Sequence, residues 1–176
     1  GDVQGGPMDG VLKDPKIAVE AVDWLAKRAP EVAAAKPWFM TVNFVNPHDV
    51  MFFDTDAEEM VQVKGLFPIF DAPDTPLYHQ KWQTTLPASF DDDLEGQPPA
   101  VRNYKRLCDM YYGRIPMDRR DMWHNHVNYY LNCILDVDRH VGAVLDQLEA
   151  SGQADNPIVI FTADHGEQGG AHHLRQ

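Results

Sequence analysis

The chain is expected to fold as an α/β protein, with a mainly parallel sheet flanked by helices. Two runs are apolar and rich in β-branched or aromatic residues: Trp38 to Val45, nearly continuous and of the type of strand covered on both faces, and the β-branched run from Ile158 that ends at Asp164-His165. Between them, from about Arg119 to Ala150, apolar residues recur at threes and fours over a length that suits a helix. A helix laid between two such strands is a βαβ crossover, which makes the strands parallel.

The elements follow in order. Asp14-Pro15 predicts a helix start, with Asp14 as N-cap and Pro15 at the first helical position. Ile17, Ala18, Ala21, Val22, Leu25 and Ala26 supply its apolar stripe, and the helix is expected to reach about Ala35. Lys36-Pro37 breaks it, the first strand follows, and Asn46-Pro47-His48-Asp49 turns the chain. From about Val50 to Pro99 prolines and aspartates abound without a sustained period, and Asp91-Asp92-Asp93 reads as a solvated loop. A connection that long inside a domain is either functional or hides short elements. Its aromatics, Phe52, Phe53, Tyr78 and Trp82, either stack on a ligand ring or cover the core, and core cover is the simpler reading.

A second helix is predicted over about Val101 to Tyr112. The third, from about Arg119 to Ala150, carries Val127, Tyr130, Leu131, Ile134, Val137, Val141, Val144, Leu145 and Leu148 at helical spacing. Ser151-Gly152 stops it, and Asp155-Asn156-Pro157 leads into the final strand.

With 176 residues and 44% apolar content, the chain is long enough for one sizeable core, so one domain or part of one is expected. Fifteen basic against 27 acidic side chains leave a net charge of −12, which argues against nucleic acids and anionic membranes as partners. An anionic substrate would need a local cation. Cys108 and Cys133 are too few and too far apart for a disulfide framework or a thiolate zinc site, and read as buried small apolar residues. No apolar run approaches the ~20 residues of a membrane-spanning helix. Gly1 to Pro7 carries neither the basic nor the apolar region of a secretory leader and reads as an interior segment. Localisation is left open between periplasm, secretion and cytoplasm.

The strand ends of an open parallel sheet share one crevice, so His48 and the pair Asp164-His165 are expected to converge although far apart in sequence. A carboxylate oxygen on Asp164 and an imidazole nitrogen on His165 suit a divalent cation, and His165 could instead touch substrate. The plainer reading has Asp164 capping a turn and His165 as a loop residue. His124 and His126 lie on the third helix without acidic or sulfur ligands at metal spacing, and read as surface or packing residues.

The run Phe161-Thr162-Ala163-Asp164-His165-Gly166-Glu167, then Gly169-Gly170-Ala171-His172, resembles the sulfatase family of the alkaline phosphatase superfamily, whose pattern is roughly F-T-S-D-H-G-E, a short gap, and G-A-H-G-L. Asn128-Tyr129-Tyr130-Leu131, Asp136-Val137-Asp138 and Val141 to Leu148 are similar to the family helix before this strand. Trp38-Phe39 through Asn46-Pro47-His48 is similar to its earlier strand and N-P-H turn. Val50 to about Arg120 has no convincing match. The resemblance implies part of an alkaline-phosphatase-like sandwich, with residues 1–176 a partial catalytic domain and 50–99 a long connection or insertion.

By the same resemblance, Asp164 and His165 form the second half of a metal site that usually holds calcium. His48 corresponds to the histidine that contacts the sulfate group and leaving-group oxygen, and His172 touches substrate or braces its loop, with His173 in place of the usual glycine. Glu167 orients His165 or, more plainly, caps the turn. The family nucleophile, formylglycine made from the Cys or Ser of C/S-x-P-x-R, has no counterpart here, nor do the earlier Asp-Asp pair and the lysine beyond the G-A-H segment. The chain is therefore expected to be an internal portion of a larger enzyme that acts on a small-molecule or carbohydrate sulfate ester, and to be inactive alone. In the whole enzyme, hydrated formylglycine would attack sulfur, the alcohol would leave with help from His48, and the sulfated hemiacetal would eliminate sulfate. Two alternatives remain. One is a phosphonate monoester or phosphodiester hydrolase of the superfamily with Mn2+ or Zn2+; the other is a binding domain that kept the fold and lost the nucleophile.

Overall fold

The structure is a computed structural model that describes residues 6–55, 69 and 71–175. Helix α1 covers Asp9–Lys27, α2 Ala29–Ala33, α3 Pro99–Tyr112 and α4 Arg120–Ala150, with 3-10 turns at His48–Phe52 and Ala171–His173. No described helix is long and apolar enough to cross a membrane.

Helix α1 begins six residues before the expected start, so Asp14 is not its cap and Pro15 lies inside it. The position before Asp9 is held by Met8, left-handed at φ 64°, with no capping side chain. The capping acceptor comes instead from Asp49, whose carboxylate takes the Gly10 and Val11 N–H groups at 3.2 and 3.3 Å. A cap from 39 residues away leaves no local signature. At the other end α1 stops at Lys27 rather than Ala35, because Pro30 has no N–H to continue the helical ladder and α2 restarts around it. The buried face of α1 is Gly10, Asp14, Ala18, Ala21 and Leu25, so the expected apolar stripe is half right and carries an unexpected carboxylate.

Helix α1 packs along α4, whose buried face is Met122, Trp123, His126, Asn128, Tyr129, Asn132, Cys133 and Asp136. The predicted apolar residues of α4 lie to the side of that face, with Ile134 and Leu145 exposed. The reason is a polar ridge at strict four-residue spacing: His124, Asn128, Asn132 and Asp136. Each meets the loop before α3. His124 Nδ1 lies 3.0 Å from the Thr84 hydroxyl, and Asn128 accepts the Trp82 N–H at 2.7 Å while donating to the Gln80 carbonyl at 2.8 Å. Asn132 donates to the Tyr78 carbonyl at 3.0 Å and accepts the Trp82 indole N–H at 2.7 Å, and the Tyr78 hydroxyl donates to Asp136 at 2.9 Å. Two residues of extended chain advance about 6.6 Å and four of helix about 6 Å, so the two periods stay in step. The loop before α3 is thus a strap along α4, its backbone at Tyr78, Gln80 and Trp82 satisfied by helix side chains.

Apolar contacts flank the ridge. On one side Val50, Tyr78, Tyr129 and Cys133 are buried together, and Phe53 stacks on Tyr129 at 4.0 Å. On the other, Phe90, Ile115, Met122 and Trp123 form a second cluster. Cys108 and Cys133 are buried and free, His126 is wholly buried, and Tyr78, Phe52 and Phe53 serve packing as expected.

The two expected strands run extended, but no strand ladder forms among the described residues beyond one parallel bridge between Phe53 and Ile69. Burial on both faces is not what they show. Along the first, Trp38, Met40, Val42 and Phe44 are half-buried, and Trp38 and Phe44 meet Trp24 of α1 and His140 of α4, while Phe39, Thr41 and Asn43 are exposed. Ile158 to Phe161 is exposed throughout, because no described residues lie against it.

Candidate functional site

His48 opens the 3-10 turn that follows the first extended segment, its N–H donated to the Val45 carbonyl at 3.1 Å. Its ring leans on Phe52 at 5.7 Å, and its Nδ1 is buried without a hydrogen-bond partner. Burial is the main influence on this histidine and lowers its pKa. The negative charges of Asp9 and Asp164 oppose that and His165 adds to it. Asp164 and His165, 116 residues further along the sequence, are thus among the charged groups that act on His48. Asp9 was invisible to sequence reasoning. It sits at the start of α1, where it accepts the Lys13 ammonium and the Gly6 N–H, each at 2.7 Å.

Asp164 and His165 are largely exposed at the end of the second extended segment. Asp164 Oδ1 accepts the His165 N–H at 3.0 Å, and Oδ2 stands 3.8 Å from His165 Nε2. The Gly166 carbonyl lies 2.8 Å from His165 Nδ1, which assigns the ring proton to Nδ1 and leaves the Nε2 lone pair free. That hydrogen bond and the nearby carboxylate raise the His165 pKa. One carboxylate oxygen and one available imidazole nitrogen fit part of a divalent-cation shell. They do not fill it, since calcium takes six to eight oxygen-rich ligands and no described group of three or more His, Cys, Asp or Glu side chains gathers here. Glu167 takes the plainer of its two expected roles, accepting the Gln168 and Gly169 N–H groups at 2.9 and 3.4 Å.

His172 turns toward the strap rather than toward Asp164. Its N–H donates to the Ser89 carbonyl at 3.0 Å and its Nδ1 lies 2.9 Å from Asp92 Oδ2. Asp92, which looked merely solvated in its acidic run, also accepts the Leu94 N–H at 3.0 Å, and these bonds lower its pKa. His173 adopts φ 54°, a left-handed conformation natural to glycine, and is buried between Phe90 at 4.3 Å and Trp123 at 6.0 Å. Behind it, the buried Arg175 guanidinium donates to the Tyr112, Gly113 and Phe53 carbonyls, and burial lowers its pKa to about 10. The segment after the candidate metal pair is thereby fixed to α3, α4 and the His48 turn.

Against known proteins, the Sulfatase family model matches residues 10–176. A multifunctional alkaline phosphatase superfamily protein, PehA, of Trinickia caryophylli is 47% identical over 146 residues, which cover 79% of this chain and 25% of that protein. Iduronate 2-sulfatase of Mus musculus is 26% identical over 168 residues, covering 93% of this chain and 27% of the relative. An ulvan-active sulfatase of Formosa agariphila is 26% identical over 131 residues, covering 74% and 20%. The chain thus spans between a fifth and little more than a quarter of these relatives. No solved structure matches it.

Proposed function

As this chain belongs to the sulfatase family, we propose that residues 1–176 are part of the catalytic domain of a metal-dependent sulfuric ester hydrolase. The observation that carries the reading is the Asp164-His165 pair, exposed at a segment end with its lone pair free and its field reaching His48. Asp164 and His165 would hold the cation, together with ligands from outside this segment. A bound divalent ion, calcium in this reading, supplies positive charge to the oxygens of the transferring group. The nucleophile, a formylglycine, lies outside this segment.

His48 is the residue for the leaving oxygen. Its half-buried ring keeps little water around it, and burial holds it neutral so that a ring N–H is presented as a hydrogen-bond donor. When substrate and cation add charge beside it, the same ring can take or release a proton. His172, held by Asp92, closes the side of the crevice formed by the strap, where it contacts substrate. The two extended segments would pair within a mainly parallel sheet completed by residues outside the described set.

A second reading is the one the test must separate from the first; the 47% identical relative is described as multifunctional within the alkaline phosphatase superfamily, words that name no ester. On that reading the ester is a phosphonate monoester or phosphodiester and the ion Mn2+ or Zn2+, for which the imidazole of His165 is well suited. The test uses the full-length polypeptide that contains this segment. Peptide mass mapping should find formylglycine within C/S-x-P-x-R, and metal analysis should find a divalent ion that Asp164→Ala removes. Activity on 4-nitrophenyl sulfate should fall at least roughly a hundredfold with that substitution. Faster turnover of a 4-nitrophenyl phosphonate ester would select the second reading. Absence of formylglycine and of any hydrolysis would overturn both in favour of a binding domain.

A further inference from the structure

Two carboxylates beside the site are wholly buried, and neither belongs to the candidate ligand set. Asp14, on α1, accepts the N–H groups of Val45 and Asn46 at 2.7 and 3.0 Å. Asp49, in the His48 turn, accepts those of Gly10 and Val11 on α1 at 3.2 and 3.3 Å. The exchange is reciprocal: each element places one carboxylate across two consecutive amides of the other. Two bonds to neighbouring amides fix rotation as well as position, which one bond or an apolar contact does not.

The same turn is pressed directly on the helix. A Cβ on Gly10 would lie 2.2 Å from Asn46 Oδ1, so the close approach depends on glycine there. From a third side Asn46 Nδ2 donates to the Tyr78 hydroxyl at 3.4 Å, and that hydroxyl donates to Asp136 of α4 at 2.9 Å. Residues 45–49 are held from α1, from the strap and from α4. Within this frame the His48 Nδ1 is buried and unbonded.

Building on the role proposed for His48 at the leaving oxygen, we infer that Asp14 and Asp49 are positioning residues that clamp the His48 turn to α1 and set the direction of its ring. Replacing either by Asn keeps the volume but turns an NH2 group against one of the two amides, so one arm of the clamp opens while the fold's apolar contacts stay.

The readout is dependence on the leaving group, measured on the full-length polypeptide. Phenyl and 4-nitrophenyl esters of the acid class that the wild type hydrolyses are compared by kcat/KM. A phenolate needs help to depart and a nitrophenolate needs little, so loss of His48 should slow the phenyl ester about tenfold or more beyond the nitrophenyl ester. Asp14→Asn and Asp49→Asn should reproduce that selective loss in reduced form, and neither should add to it in a His48→Ala background. A merely structural role lowers the active fraction and slows both esters equally. If His48→Ala is selective and the two Asn variants are not, the clamp is overturned while the role of His48 stands. If His48→Ala is itself unselective, the reading of His48 fails and this inference with it. Should an Asn variant not fold, Gly10→Ala displaces the same turn without touching a buried charge. Equal slowing of both esters by that variant overturns the clamp.

Discussion

His126 makes stability depend on pH with a sign and size that follow from its surroundings. Its ring is wholly buried on α4. Nε2 lies 3.3 Å from the Arg175 carbonyl, which can only accept, so the neutral ring carries its proton there. Nδ1 is buried without a partner. A second proton would create a buried donor with no acceptor, close to the Arg175 guanidinium, and burial first and that charge second lower the pKa to about 3. The unfolded chain, with an ordinary histidine pKa near 6.5, binds a proton between those values and the folded chain does not. Stability is therefore fully present above pH ~6.5 and drains away as pH falls toward 3. Between pH 7 and pH 5 the loss from this one residue is roughly 2 kcal/mol. Denaturant titration of the full-length polypeptide at the two pH values, beside His126→Gln, isolates it. The glutamine can still donate to the Arg175 carbonyl but does not titrate, so the variant should start less stable and fall less steeply, by about the stated amount. Parallel losses in both proteins would mean that His126 binds its proton in the folded state, and would refute the buried neutral ring.

Two further substitutions test the strap. Tyr78→Phe removes the hydroxyl between Asn46 and Asp136 and should cost about 1–3 kcal/mol of stability in the same titration; an unchanged midpoint would show that the relay carries no weight. Asp92→Asn weakens the hold on His172 and should raise KM roughly two- to tenfold with kcat little changed, whereas an unaltered KM would detach His172 from substrate binding.

What the sequence made legible divides along a physical line. Elements marked by local chemistry were found: α3 and α4 within about two residues, the buried cysteines and the packing role of His126. Features made by distant polar partners were not. Asp14-Pro15 carries every local mark of a helix start, yet Asp14 points its carboxylate at the amides after the first extended segment, and the true start is capped by Asp49. The strap from Tyr78 to Thr84 has no period of its own, because its hydrogen bonds lie on α4. The available signal was the four-residue spacing of His124, Asn128, Asn132 and Asp136 in a helix otherwise read for its apolar residues. Asp92 carried no signal, since a carboxylate that pairs with a histidine 80 residues away looks like any solvated one.

The candidate metal pair lies between one anchored end and one open end, and that asymmetry governs how it should behave. After it, Gly170, His173, Leu174 and Arg175 are buried, and the segment is tied to α3, α4 and the strap by His173, His172 and the Arg175 guanidinium. Before it, Ile158 is 89% exposed, Ile160 80% and Phe161 83%, and Phe39 on the other extended segment is 88% exposed. Covering each such side chain is worth about 1.5–3 kcal/mol, so four together approach the whole net stability of a typical domain. These residues are written for a contact that the described residues do not make. On the proposed sheet, such a contact would hold the segment that ends at Asp164, and with it the distance from Asp164 to His48. On the proposed reading of Asp164 and His165 as cation ligands, cation affinity is expected to rise when that apolar face is covered, so calcium binding measured by titration should be tighter in the full-length polypeptide than in residues 1–176 alone. Equal affinity in the two would refute that coupling, because the end before Asp164 would then be as firmly held without the covering contact as the end after His165 is by its own.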